Sequence, residues 1–174
     1  LDRRDFVNEV VIRPLEPTDD LGELTELIHR AYAALGRMGL NYTGVDQSIE
    51  VTAERCADGE AWVVLDVEGA LVATATLTFP DPFDSCKFFR DLGQVALNQV
   101  AVHPDVQRQG LGRMLIEQLE QRAIELGYRT IALDTAIPAQ HLVEWYRRLG
   151  YEPIGEHQWE GKSYRSLVMH KVLS

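Results

Sequence analysis

Cysteine is scarce. The chain has two, Cys56 and Cys86, with no Cys-x-x-Cys pair and no Cys/His grouping, which excludes a disulfide framework and a zinc cage. Basic charge is also short. Seventeen Lys and Arg against 27 Asp and Glu leave a formal charge of −10, the wrong sign for a chain that neutralises a phosphate backbone, so nucleic acid is not expected as a partner. Exposed charges more than about 8–10 Å apart are largely screened at physiological salt, so a local positive pocket for a small anion survives that argument. Long apolar runs are missing: nothing approaches the roughly 18 residues of a membrane span, and Leu1-Asp2-Arg3-Arg4-Asp5 lacks a signal peptide's apolar stretch. The expectation is a cytoplasmic protein in a reducing compartment, with no membrane partner.

What is present is an ordinary globular composition, 45% hydrophobic and 25% charged over 174 residues, long enough for one domain spanning 1–174 with residues 1–9 as an extension. Val10–Ile12 reads as a strand, and Pro17-Thr18-Asp19-Asp20 opens a helix to about Tyr32. Three glycines between Gly36 and Gly44 mark a loop or broken helix, followed by a helix over 46–57. Residues 60–66 and 70–79 are strand-like and joined at Glu68-Gly69 as a hairpin. Further on come a strand at 94–103 and a helix from Gly110 closed by Gly127, with Glu117, Glu120 and Glu125 expected on its solvent side. A strand over 130–135, a helix over 138–149 and two strands over 151–159 and 162–172 complete the chain.

The strand at 94–103 breaks its own alternation. Val95 and Leu97 share one parity, Val100 and Val102 the other, so one extra residue at Asn98-Gln99 must bulge the strand and leave backbone groups unpaired. After a short link, Gln107-Arg108-Gln109-Gly110-Leu111-Gly112 enters a helix whose first N–H groups have no intrahelical acceptors. With the macrodipole, Arg108 and Arg113, that junction suits a pyrophosphate.

In these residues the chain resembles the GNAT superfamily of acyl-CoA-dependent N-acetyltransferases. Gln107, Gly110 and Gly112 match its Gln/Arg-x-x-Gly-x-Gly/Ala signature. Ala101-Val102-His103-Pro104 resembles its strand end, and Trp145-Tyr146-Arg147-Arg148-Leu149-Gly150-Tyr151 its helix ending. The resemblance implies a single-domain α/β fold: a mixed, mostly antiparallel sheet of about seven strands, a bulged and splayed strand at 94–103, and flanking helices. It implies acetyl-CoA as co-substrate. Val100, Ala101 and Val102 then face the pantetheine arm, while Gln107, Arg108, Gln109, Gly110, Leu111, Gly112 and Arg113 face the pyrophosphate. It implies acetyl transfer to a primary amine of a small molecule or peptide by direct attack, with Tyr146 protonating the leaving thiolate. A phenol of pKa about 10 stays protonated against a thiol near 8.5. The same helix face would equally suit a core tyrosine.

The bulged strand lacks the glutamate that many such enzymes carry, having Asn98 and Gln99 instead. Proton removal then falls to water or to another element, with Asp81, Asp84 and His157 as candidates. A catalytically silent CoA-binding regulatory domain is the alternative. A dinucleotide oxidoreductase, with Asp134 as its acidic residue, fits poorly because Leu115 stands where a third glycine belongs. His141 and Glu144 share a helix with no second pair, so no metal is expected. Cys56 and Cys86 read as packed thiols. Tyr42, Asn41, Phe83, Phe88 and Phe89 either line an acceptor cleft or pack on the sheet. A homodimer stays open, and the acidic surplus favours a cationic acceptor.

Overall fold

A computed structural model describes residues 9–174. The expected extension at 1–9 therefore lies outside the described residues except for Glu9. Seven strands form one sheet: β1 (Val11–Pro14), β2 (Gly59–Leu65), β3 (Leu71–Thr78), β4 (Gln94–Val102), β5 (Thr130–Ala136), β6 (Glu152–His157) and β7 (Ser166–Val172), in the order β1-β2-β3-β4-β5-β7-β6. Among the described residues only the β4–β5 pair is parallel. The helices are α1 (Leu21–Arg37), α2 (Ile49–Ala57), α3 (Leu111–Glu125) and α4 (Gln140–Arg148). This is the expected α/β class.

Alternation along the strands sorts the helices onto two faces. Val63 packs with Leu24, Leu27 and Ile28 of α1. Its neighbours Trp62 and Val64 pack with Leu111, Leu115 and Leu119 of α3. Asp20 caps α1 by accepting from the N–H groups of Gly22 at 2.7 Å and Glu23 at 3.2 Å. The helix runs on past Tyr32, through the helix-forming Ala33-Ala34-Leu35 and across Gly36, to Arg37. Gly36 marks no break because α1 packs there on Val45, within 3.0 Å of where a Cβ would stand. The next helix, α2, starts at Ile49 rather than 46, because Ser48 caps it through the Val51 N–H.

Gly150, at φ +97°, closes α4. The N–H groups of Gly150 and Tyr151 donate to the carbonyls of Arg147 and Tyr146, the paired bonds of a Schellman ending. The turn fixes where Tyr146, one turn earlier, enters the core.

One expectation needs correction. Glu120 is buried: it accepts from the Tyr151 hydroxyl at 3.0 Å and the Lys171 ammonium at 2.9 Å. The C-terminal strand and Tyr151 cover that flank of α3, and a buried phenol needs a polar partner. Among the described residues no helix is long and apolar enough to cross a membrane.

Candidate active site

The bulge in β4 is present. Thr74 pairs with Ala101 and Thr76 with Asn98, so two steps on β3 face three on β4, and Gln99 takes a left-handed φ of 54°. The extra residue restores the packing that strict alternation would lose. Val95 and Leu97 before it, and Val100 and Val102 after it, all pack on the α3 side. Gln99 is turned the opposite way and buried, accepting from the Gln47 side-chain amide at 2.8 Å.

Pairing between β4 and β5 stops at Ala96–Ala132. Beyond that point the two parallel strands part. Among the described residues the backbone of Leu97 to Val102 on that side has no strand partner, and a ligand with amide groups can pair there.

The next link, from His103 to Gly110, ends β4 and aims α3. The imidazole Nδ1 of His103 accepts from the Asp105 N–H at 3.1 Å. The Gln107 side chain donates to the Val102 carbonyl at 3.0 Å, which fastens the loop to the strand. Arg108 and Gly110 both have positive φ, 64° and 87°. The N–H groups of Gly110, Leu111, Gly112 and Arg113 meet no acceptor among the described residues. Leu111 itself is buried, leaving only its backbone for a ligand. The two glycines serve different ends. Gly110 supplies the left-handed turn. At Gly112 a Cβ would stand 3.1 Å from the Trp145 ring, so its small size lets α3 approach α4. Arg113 is spent on Glu117 at 2.8 Å, whereas Arg108 is in no ion pair among the described residues.

Where β4 and β5 diverge, a cavity of about 510 Å³ opens, lined by Asn98, Gln99 and Val100 of β4, Leu133 and Asp134 of β5, and Tyr146 of α4, among others. Tyr146 packs on Trp145 and Tyr151, with ring centroids 4.9 and 6.0 Å away. Its hydroxyl has no partner among the described residues, and burial, with the nearby Tyr32, Tyr42 and Asp134, holds the phenol well above its usual range. It stays protonated, and the residue lines the cavity.

Asp134 was missed as a candidate acid–base group. It is half-buried and lines the cavity. Burial raises its pKa, opposed by the Trp159 indole N–H, which donates at 2.9 Å, by the Ser166 hydroxyl, and by the charges of His157 and Arg55. The fully buried Ser166 hydroxyl closes no hydrogen bond among the described residues, although it is near enough to favour the charged carboxylate. The signal in the sequence was a lone acid in the apolar run Ile131-Ala132-Leu133-Asp134.

Of the earlier candidates, Asp84 lines the cavity but accepts from the Cys86 N–H at 2.7 Å. Asp81 is exposed and caps a turn through the Phe83 N–H. His157 sits edge-on to Trp159, at 4.5 Å between rings. Tyr42 does line the cavity, tied by its hydroxyl to Thr135 and the Ala136 N–H, both at 2.8 Å. Asn41 instead bonds Gly161 and Ser163, Phe83 is 90% exposed, Phe88 packs on Gly155, and Phe89 stacks on Trp159. Burial pushes both thiols up, so neither Cys56 nor Cys86 is set up as a nucleophile.

Residues 25–151 match the sequence model of the Acetyltransferase (GNAT) family. No curated protein matches the chain. Among solved structures, it resembles the ribosomal-protein-S18-alanine N-acetyltransferase of Escherichia coli, with 22% identity over 95% of this chain and 94% of that one and a TM-score of 0.71. It also resembles a GNAT family acetyltransferase of Elizabethkingia anophelis with acetyl-CoA bound, at 15% identity, 95% and 99% coverage and a TM-score of 0.69. An acetyltransferase of Bacillus subtilis in complex with CoA matches at 18% identity, 95% and 100% coverage and a TM-score of 0.66.

Proposed function

The chain belongs to the GNAT acetyltransferase family, and from that premise we propose that it transfers an acetyl group from acetyl-CoA to a primary amine by direct attack. The observation that carries the reading is one cavity lined jointly by Val100 of the diverging strand, Tyr146 and Asp134. The residues present fit the co-substrate. Free N–H groups at the start of α3, the unpaired Arg108 and the left-handed Gly110 suit a pyrophosphate. Leu111 and Gly112 add backbone donors there, Gln107 fastens the loop to β4, and Gln109 lies within that loop. The open edge at Val100, Ala101 and Val102 suits an amide-bearing arm.

When bound, acetyl-CoA supplies the acetyl thioester. This chain's residues then handle two protons. Asp134, as a carboxylate, takes a proton from the amine, directly or through water, as the new C–N bond forms. Its burial raises the pKa towards the operating pH, where a general base is most effective. Tyr146 gives its hydroxyl proton to the sulfur as the C–S bond breaks. A backbone N–H at Val100 polarises the carbonyl, a type of contact worth about 2.7–4 kcal/mol in a well-studied hydrolase.

The test joins binding to turnover. CoA at about 100 times its Kd should raise stability by about 2.7 kcal/mol, NAD should not, and the pure protein should release thiol from acetyl-CoA when offered a panel of amines. CoA binding with no release from any amine favours the silent regulatory domain. No stabilisation by CoA refutes both.

A further inference from the structure

Two cations line the same cavity. Arg55 reaches it from α2, and Lys162 from the link between β6 and β7. Arg55 donates to the side-chain oxygen of Gln47 at 2.9 Å. Lys162 donates to the Asn41 carbonyl at 2.9 Å and the Thr43 hydroxyl at 3.0 Å. All three acceptors are neutral. Among the described residues neither cation makes an ion pair within 4.0 Å, whereas Arg13, Arg122 and Lys171 are held by Asp19, Glu60 and Glu120. Both are half-buried. Burial, with the nearness of Arg55, lowers the Lys162 pKa against the pull of Asp46 and Asp134.

Bringing two half-buried like charges to one cavity is unfavourable unless an anion completes them. Guanidinium and ammonium together still offer most of their N–H donors to it. The cavity also carries Asp58, Asp84, Asp134 and Glu160. A polycation would leave Arg55 and Lys162 uncompensated, and a pure anion would leave the carboxylates so. A ligand bearing both charges satisfies both sets.

We propose that the acceptor is a zwitterionic amine, whose carboxylate or phosphate-type oxyanion docks between Arg55 and Lys162 while its amine faces Asp134. The assignment rests on the acetyltransferase reading for the fate of the amine, but not for the anion subsite. It reverses the cationic acceptor that the acidic composition suggested, because local charge, not the total, meets a ligand a few ångströms away.

The test has two arms. In the first, protein saturated with CoA, so that the start of α3 is occupied, is titrated with inorganic phosphate at constant ionic strength and its melting followed. Phosphate should raise Tm in the wild type and not in the double variant R55Q/K162Q, while the CoA shift is the same in both and reports that the variant is folded. Lys162→Gln alone replaces the double variant if that does not fold, and should at least halve the phosphate shift. An equal shift in wild type and variant, or none in the wild type, overturns the anion subsite. Absence of the CoA shift instead refutes the acetyltransferase reading, with the phosphate comparison still read between wild type and variant.

In the second arm, thiol release is compared for amino acids and their carboxamides. The acid should show a KM at least about tenfold lower, the scale of one charge-assisted contact, and R55Q/K162Q should bring that ratio close to one. Amides used as well as acids overturn the proposal.

Discussion

Replacing Asp134 by Asn separates the chemistry from the packing. Asn is nearly isosteric, and its carbonyl oxygen can keep the Trp159 indole N–H that Asp134 accepts at 2.9 Å. Its N–H2 gains the Ser166 hydroxyl, which otherwise has no partner, as acceptor. What it cannot do is take a proton. General-base assistance is typically worth about 10²- to 10⁴-fold, about 2.7–5.5 kcal/mol of barrier. Single-turnover thiol release from D134N should fall by that range with little change in acetyl-CoA affinity. In the wild type the chemical step should fade on the acid side as the raised Asp134 pKa is crossed.

Stability should move the other way. The folded pKa of Asp134 lies above its unfolded value because of burial. The folded state therefore holds the proton to higher pH than the unfolded chain. Stability at this group is complete below the ordinary carboxylate value, near 4, and falls as pH rises through the raised folded value. Asn has no proton to lose. D134N and wild type should melt alike near pH 4, and the variant should gain in Tm as pH rises. A variant within about threefold of the wild-type single-turnover rate would sink the base assignment, and a Tm difference that does not grow with pH would sink the burial argument.

The remaining predictions rest on single contacts. Tyr146→Phe keeps the ring against Trp145 and Tyr151 and removes a hydroxyl with no protein partner, so turnover should drop about 10²-fold or more while Tm stays near wild type; a loss of Tm with turnover intact would make Tyr146 structural. Glu120→Ala strands the Tyr151 hydroxyl and the Lys171 ammonium, and urea unfolding should show a loss of about 3 kcal/mol, the low end for a broken buried pair because Lys171 still reaches water. Glu120→Gln, which still accepts from Tyr151, should lose less.

How much of this was legible followed from range. The bulge was readable because apolar parity is local: Val95 and Leu97 against Val100 and Val102 allow one resolution if all four face the core. The α3 junction was readable because glycine and arginine act through their own backbone and charge. Glu120 was not, since its burial depends on Tyr151 and Lys171, distant in sequence. Asp134 escaped for the same reason: Trp159 and Ser166 meet it only after β5, β6 and β7 have assembled. Helix ends failed where side chains overruled local propensity, as Val45 does for Gly36. The strands expected over 151–159 and 162–172 shorten to Glu152–His157 and Ser166–Val172. The residues between them carry Trp159 and Lys162 to the cavity, so the shortening itself builds the site.

The bulge and the cations are mechanically one unit. A left-handed Gln99 costs about 1–2 kcal/mol relative to ordinary backbone, and glycine would avoid that cost. What glycine would lack is the buried amide. Gln99 accepts from Gln47 at 2.8 Å, Gln47 also donates to Thr52 at 2.7 Å, and the oxygen of Gln47 accepts from Arg55 at 2.9 Å. Thr52 is in turn bonded to Thr25 of α1 at 2.7 Å. The strained residue is thus held by a polar chain running from the strand edge that would receive the thioester to the guanidinium that would receive the acceptor. Buried polar chains of this kind fix one arrangement because each unpartnered member is costly. A residue at position 55 with no donor, such as leucine, would free the Gln47 oxygen and loosen the bulge, whereas the amide of R55Q still carries an N–H2 for it.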